Sequence, residues 1–214
     1  VTPIREREGV SPLRYAADRG MLDPGDFIAH GVHLDPTEVD LLTEAHVGVI
    51  HCPASNMKLA SGMAPVQQLL DAGATVGLGT DGAASNNDLD MFGEMRDAAM
   101  IGKLASDDAA AMDAASVLEI ATVGGAAALG MPGGIIEVGA AADLAIVGMD
   151  APHLVPDHDP VSHLVYAASG RDVRHTICDG RVLMEERQVV DVDVDAVCER
   201  AQATEAQLVA DAAD

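Results

Sequence analysis

The sequence predicts an α/β fold built around a parallel sheet. Three apolar, β-branched runs, DFIAH, VGVIH and VGLGTDG, each end in a histidine or an aspartate, and helical patterns separate them. Ser11 and Pro12 open a helix over SPLRYAADRGML, the first as cap and the second at the first helical position. A strand at about 26–30 follows. Asp35-Pro36-Thr37 then announces a helix that carries Val39, Leu41, Leu42 and Ala45 at helical spacing. Next come a strand at about 47–51, an irregular loop (PASNMKLASG), a helix through Val66 to Leu70 and a strand at about 75–79. This βαβαβ order makes right-handed parallel crossovers the default.

Beyond Asn87 the pattern turns helical, first around LDMFGEMRDAAMIGKL and then around DAASVLEIATVGGAAAL, which Asp113 starts and Gly130 and Pro132 stop. Short apolar segments follow: GIIEV, ADLAIVG, HLVYAA, VRHTICDG, RVLMEE and QVVDV, separated by Gly, Asp and Pro. Asp179-Gly180 between two of them signals a tight hairpin. The reading divides the chain at 1–130, 131–192 (a small β region from about 134) and 193–214, an amphipathic C-terminal helix. The chain is expected to begin mid-domain, because its charged first ten residues lead directly into a helix.

A chain of 214 residues with 49% apolar composition is large enough for a packed core. With 2% aromatics and no Trp, that core must be aliphatic. The formal net charge is −23, spread along the whole chain, and Lys58 and Lys103 are the only lysines. Dispersed carboxylate suggests adaptation to high salt and excludes the electropositive surface that nucleic-acid binding needs. Cys52, Cys178 and Cys198 are widely spaced without a CxxC pair, so neither a disulfide framework nor a thiolate zinc site is indicated. A reducing cytoplasm is the expected location, and no run reaches membrane-spanning length.

Chemistry is expected where the strands end. If the three strands are parallel, His30, His51 and Asp81 share one edge and can meet around one ligand although distant in sequence. Each has a bland alternative: a capping or turn aspartate for Asp81, a hydrogen-bonded core histidine for His30. His51 either lines the pocket or orients the Pro53-Ala54-Ser55-Asn56 segment, which Asn56 and Lys58 brace. His33, His46, His153, His158, His163 and His175 lack metal-ligand spacing. Gly77, Gly79 and Gly82 permit close packing and do not form a dinucleotide fingerprint.

Read together, IAHGVHL, HCPASNMKLASGMAPVQQLLDAGATVGLGTDGAASNNDLDMFGEMR and GIIEVGAAADLAIV resemble the C-terminal half of metal-dependent deaminases of the amidohydrolase superfamily. The resemblance runs from about residue 10 to 192 and is strongest to 5-methylthioadenosine/S-adenosylhomocysteine deaminases. It implies the C-terminal part of a (β/α)8 TIM-type barrel (strands 6 to 8) and part of a small β-sandwich. It also implies one divalent metal, usually Zn2+, held by a His-x-His, a further His and an Asp, with a Glu three residues beyond that further His moving a proton. In this sequence Asp81 matches the metal-binding aspartate and general base. His30 matches the sixth-strand histidine, which contacts substrate and stabilises the reacting centre, and Ser85 matches a pocket residue. No His-x-His occurs, and the chain starts just after the position of the His-x-x-Glu.

One carboxylate cannot hold a catalytic zinc, which generally needs three protein ligands and an open position. The resemblance therefore implies a polypeptide inactive alone, whose partner is the missing N-terminal half of the barrel. Uncovered sheet edges favour self-association, so a homo-oligomer is open. The implied substrate is a small molecule, the adenine moiety of 5-methylthioadenosine or S-adenosylhomocysteine. The alternatives are a guanine or cytosine deaminase, a triazine chlorohydrolase, or a non-catalytic remnant.

Overall fold

The computed structural model describes residues 2–212. Two short helices, α1 (Thr2–Glu8) and α2 (Pro12–Ala17), precede a three-layer unit. Its centre is β1 (Phe27–Ala29), β2 (Gly48–His51) and β3 (Val76–Leu78), paired in parallel in that order. The connections are α3 (Pro36–Glu44) between the first two strands, then α4 (Pro53–Lys58) and α5 (Val66–Asp71). Capping chemistry is as the sequence implies: the Asp35 side chain accepts from Glu38 N while Glu38 reaches back to Asp35 N. Segment 53–58, expected to be irregular, is a helix because Pro53 at its first turn pre-sets helical φ.

Side chains alternate across the sheet. Val49 and Val76 face α3 and α5, joining Val39, Leu42, Val66 and Leu69 in an aliphatic core closed by Met95, Ala98 and Ala99 of α7 (Met91–Ser106), which follows the single turn α6 (Ala83–Asn86). On the opposite face glycines are paired with larger residues, Gly48 with Phe27 and Gly77 with Ile50. A Cβ on Gly77 would lie 2.8 Å from Ile50 Cδ1 and 3.0 Å from Gly125 Cα, so glycine is what allows the helical segment behind β3 to approach. That segment is α8 (Ala114–Glu119), a π-helical stretch Ile120–Gly124 and α9 (Gly125–Ala128).

The remainder is a four-stranded antiparallel sheet of β4 (Leu144–Val147), β5 (Val173–Cys178), β6 (Arg181–Glu185) and β7 (Gln188–Val189). The Asp179-Gly180 turn has both residues at positive φ, 48° and 73°, as a two-residue hairpin requires.

Two expected strands are absent. HLVYAA belongs largely to α10 (Pro160–Tyr166), because Asp159 caps Val161 N and Ser162 N, and Pro160 starts the turn. Its Val165 and Ala168 are buried, and α10 packs on α7 and α8. GIIEV forms no strand: its own Gly134 and the flanking Gly133 and Gly139 have positive φ, and Ile136 and Val138 have no sheet neighbour, standing 90% and fully exposed.

Helix α11 (Val194–Asp211) closes the chain and buries none of its residues. Among the described residues no helix is long and apolar enough to cross a membrane.

Candidate active site

Parallel pairing puts the carboxyl ends of β1, β2 and β3 on one edge, the edge where open α/β sheets bind ligands. His30 follows β1 directly, and its backbone N–H continues the ladder to Ile50 O at 2.8 Å. Its φ of 70° is left-handed, as is the 61° of Asp81. Two non-glycine residues in this region at facing loop tips are a local cost of order 1–3 kcal/mol each, sustained by the surrounding contacts. The result is that His30 Nε2 stands 3.9 Å from Asp81 Oδ2.

The two oxygens of Asp81 differ. Oδ2 accepts the hydroxyls of Ser85 at 2.7 Å and Ser55 at 2.8 Å, whereas Oδ1 accepts no side-chain hydrogen bond among the described residues. Ser85, Ser55, the Gly82 backbone N–H and the nearby His30 together hold the carboxyl down at about 2, so it is an anion throughout the working pH range. The imidazole of His30 is oriented from the other side, where Nδ1 meets Asn56 Oδ1 at 2.9 Å.

Helix α4 is what ties these groups together, supplying Ser55 to Asp81 and Asn56 to His30 from one turn. The Lys58 ammonium fastens it to the loop after β3, donating to Ala84 O at 2.9 Å and to Asn87 Oδ1. His30, Ser55 and Asn56 line a cleft of about 420 Å3 whose other walls include Leu13, Val32 and Leu59.

His51 stands apart from that cleft. It lies on the strand face of Val49, 2% exposed, with neither ring nitrogen hydrogen-bonded among the described residues. Burial, then the charge of His30, lowers its pKa to about 4, so at neutral pH it is uncharged. Cys52 beside it is no nucleophile: burial, Asp81 and Glu94 push its thiol up to about 11. Ser85, which the resemblance implies is a pocket residue and candidate substrate contact, donates its hydroxyl proton to Asp81. Ser55 was not singled out by sequence, because its partner lies 26 residues away and only the helical turn at 53–58 aims it there.

Among the described residues no group of three or more His, Cys, Asp or Glu could hold a metal ion. Asp81 nonetheless fits one position in such a site: it is ionised, acceptor-only, and its Oδ1 accepts no side-chain hydrogen bond among the described residues. A site with three or more such ligands would have to draw on residues beyond these.

An anionic carboxylate and an imidazole thus converge at the carboxyl edge of the parallel sheet of an α/β protein. The chain belongs to the amidohydrolase family, whose sequence model matches residues 4–183. It is 65% identical, over all its 214 residues, to a 5-methylthioadenosine/S-adenosylhomocysteine deaminase of Haloarcula marismortui, covering 50% of that protein. Over 208 residues, 97% of this chain and 49% of the relative, it is 45% identical to a 5'-deoxyadenosine deaminase of Methanothermobacter thermautotrophicus. An adenosine deaminase of Xanthomonas campestris with bound zinc superposes with a TM-score of 0.96 at 39% identity, covering 98% of this chain and 48% of that one. An atrazine chlorohydrolase of Arthrobacter aurescens complexed with zinc gives 0.86 at 31% identity, over 94% of this chain and 45% of that one. The chain thus spans about half the length of the curated relatives it matches.

Proposed function

We propose that this chain is the C-terminal portion of a zinc-dependent aminohydrolase that removes the amino group from the adenine moiety of 5-methylthioadenosine or S-adenosylhomocysteine. In this reading β1, β2 and β3 are strands 6, 7 and 8 of a (β/α)8 barrel spanning residues 1–130, and 131–192 is part of a small β-sandwich. The convergence of His30 and Asp81 at 3.9 Å carries the reading. The names of the relatives supply the substrate class.

When bound, a divalent metal supplies Lewis acidity that brings a water near neutral pKa. Asp81 would hold that ion through Oδ1, with Oδ2 kept in place by Ser55 and Ser85. A carboxyl held near 2 is a weak base but a ready donor once protonated, which suits carrying a proton from the attacking water to departing ammonia. His30 Nε2 would hydrogen-bond the attacking oxygen, its ring direction set by Asn56. Ser85 keeps lone pairs with which to accept from substrate. Of the two readings of His51, its burial supports the structural one.

Ammonia release from a nucleoside panel by the complete enzyme tests the reading. Turnover of 5-methylthioadenosine and S-adenosylhomocysteine is expected; release only from guanine, cytosine or a triazine would move the assignment to a sibling hydrolase. Purified by itself, the 214-residue chain should retain little zinc, and stoichiometric metal would contradict the ligand count.

A further inference from the structure

Glu94 is one of the most buried groups of the protein, 1% exposed, and the chemistry above does not use it. It sits one turn into α7, beneath both loops that form the site. Its Oε2 accepts from Ala54 N at 3.2 Å, within the first turn of α4, where Cys52 offers no side-chain cap. Its Oε1 accepts from the Asn86 side-chain amide, whose oxygen in turn takes Leu89 N at 2.7 Å. Burial, together with the charges of Asp97 and Asp88, lifts its pKa to about 7 against those two hydrogen bonds.

We propose that Glu94 is a positioning residue of the active site: bound at once to α4 and to the 81–86 turn, it fixes the separation at which Ser55 and Ser85 reach the same oxygen of Asp81 and Asn56 reaches His30. The geometry is economical. Ala54 precedes Ser55 and Asn56, and Asn86 follows Ser85, so the two anchors of Glu94 adjoin the residues that hold Asp81 and His30. Lys58 links the same two segments elsewhere along α4, at Ala84 and Asn87. With only one of the two ties, α4 can pivot against the turn. A misplacement of about 1 Å from outside the chemistry can cost on the order of 10²-fold in rate.

This inference rests on the deaminase reading for its kinetic arm but not for its spectroscopic one. Glu94→Gln keeps the side chain's size and leaves one accepting oxygen in place of two. In the full-length enzyme we expect kcat to fall about tenfold or more while KM stays within about threefold, since the reacting groups are displaced rather than the binding walls. In this chain, imidazole 15N NMR should find the His30 ring in a single tautomer for the parent and in a mixture for the variant. Asn86→Ala, at a less buried position, releases the second anchor and should shift both readings the same way, which covers a Glu94→Gln protein that does not fold. Parental kcat and an unchanged His30 ring in the folded variants overturn the proposal, as does a lowered melting temperature with both readings intact. Failure of the parent enzyme to deaminate any nucleoside would sink the function assignment and leave the NMR comparison to decide the role of Glu94.

Discussion

Acid should unload a measurable fraction of this protein's stability through His51. Its pKa is about 4 in the folded chain against an ordinary 6.5. The unfolded chain therefore binds the proton that the folded one refuses, and stability attributable to this group is fully present above pH 6.5 and lost as pH falls toward 4. At ~1.4 kcal/mol per pH unit the gap amounts to roughly 3 kcal/mol, of which about 2.5 kcal/mol is gone by about pH 4.5. Glu94 acts with the opposite sign. Raised to about 7 from 4.5, it makes the folded state less stable as pH rises through that window, so the parent protein's own pH profile sums two cancelling slopes. The informative quantity is the difference between parent and His51→Leu, a substitution close in volume that also removes two unpaired buried nitrogens. Urea unfolding at about pH 7 and about pH 4.5 should show the parent losing about 2 to 3 kcal/mol more than the variant. Equal losses in the two proteins would refute the argument that His51 is buried and neutral.

Three further outcomes follow from the site. Ser55→Ala and Ser85→Ala should each raise the Asp81 carboxyl from about 2 toward its ordinary 3.8, and the double variant further, as read by carboxyl 13C titration; an unmoved resonance in both would mean the hydroxyls do not set its acidity. His30→Ala in the full-length enzyme should retain zinc by metal analysis yet lose on the order of 10²–10³-fold in kcat, the scale of losing one positioned active-site hydrogen bond, and near-parental turnover would remove His30 from the reaction. With a net charge of −23, raising KCl from about 0.1 M to about 1 M shortens the screening length from ~10 Å to ~3 Å and should raise the melting temperature; indifference to salt would count against the reading of dispersed acidity as a salt adaptation.

The parallel unit was legible because its signals are local. Three β-branched runs, capping residues at Ser11, Asp35 and Asp113, and the Asp179-Gly180 turn each act within a few residues, and each is found where the sequence puts it. HLVYAA shows the limit of apolar runs as evidence, since six apolar or weakly polar residues fit either period and the Asp159-Pro160 start signal had to break the tie. GIIEV fails differently: it has strand composition but no neighbour to pair with among the described residues. Within the site, Asp81 and His30 could be read from their places at strand ends. The contacts that condition them could not, because Ser55 to Asp81 spans 26 residues and Glu94 to Ala54 spans 40. Those pairings exist only once α4 folds against α7.

In the proposed reaction, this chain's part follows from the asymmetry of a single carboxylate. Two hydroxyl donors on Oδ2 lower the carboxylate's basicity and restrain its rotation, while Oδ1 accepts no side-chain hydrogen bond among the described residues. A carboxylate meant chiefly as a general base would be placed in apolar surroundings that raise its pKa, as Glu94 is, and not among donors that depress it. On the proposed function, this asymmetry suits Asp81 to bind a cation first and to pass a proton second. The 3.9 Å to His30 Nε2 agrees with this division, being too long for a direct hydrogen bond and short enough that one oxygen atom set to the side could bond both groups. On the same proposal, with Asp81 as a ligand and no group of three or more candidate ligands among the described residues, metal affinity would depend on donors beyond them, while Asp81 and His30 would orient the attacking oxygen. Perturbing α4 or Glu94 should therefore act on kcat before it acts on zinc retention, whereas removing Asp81 should act on both together.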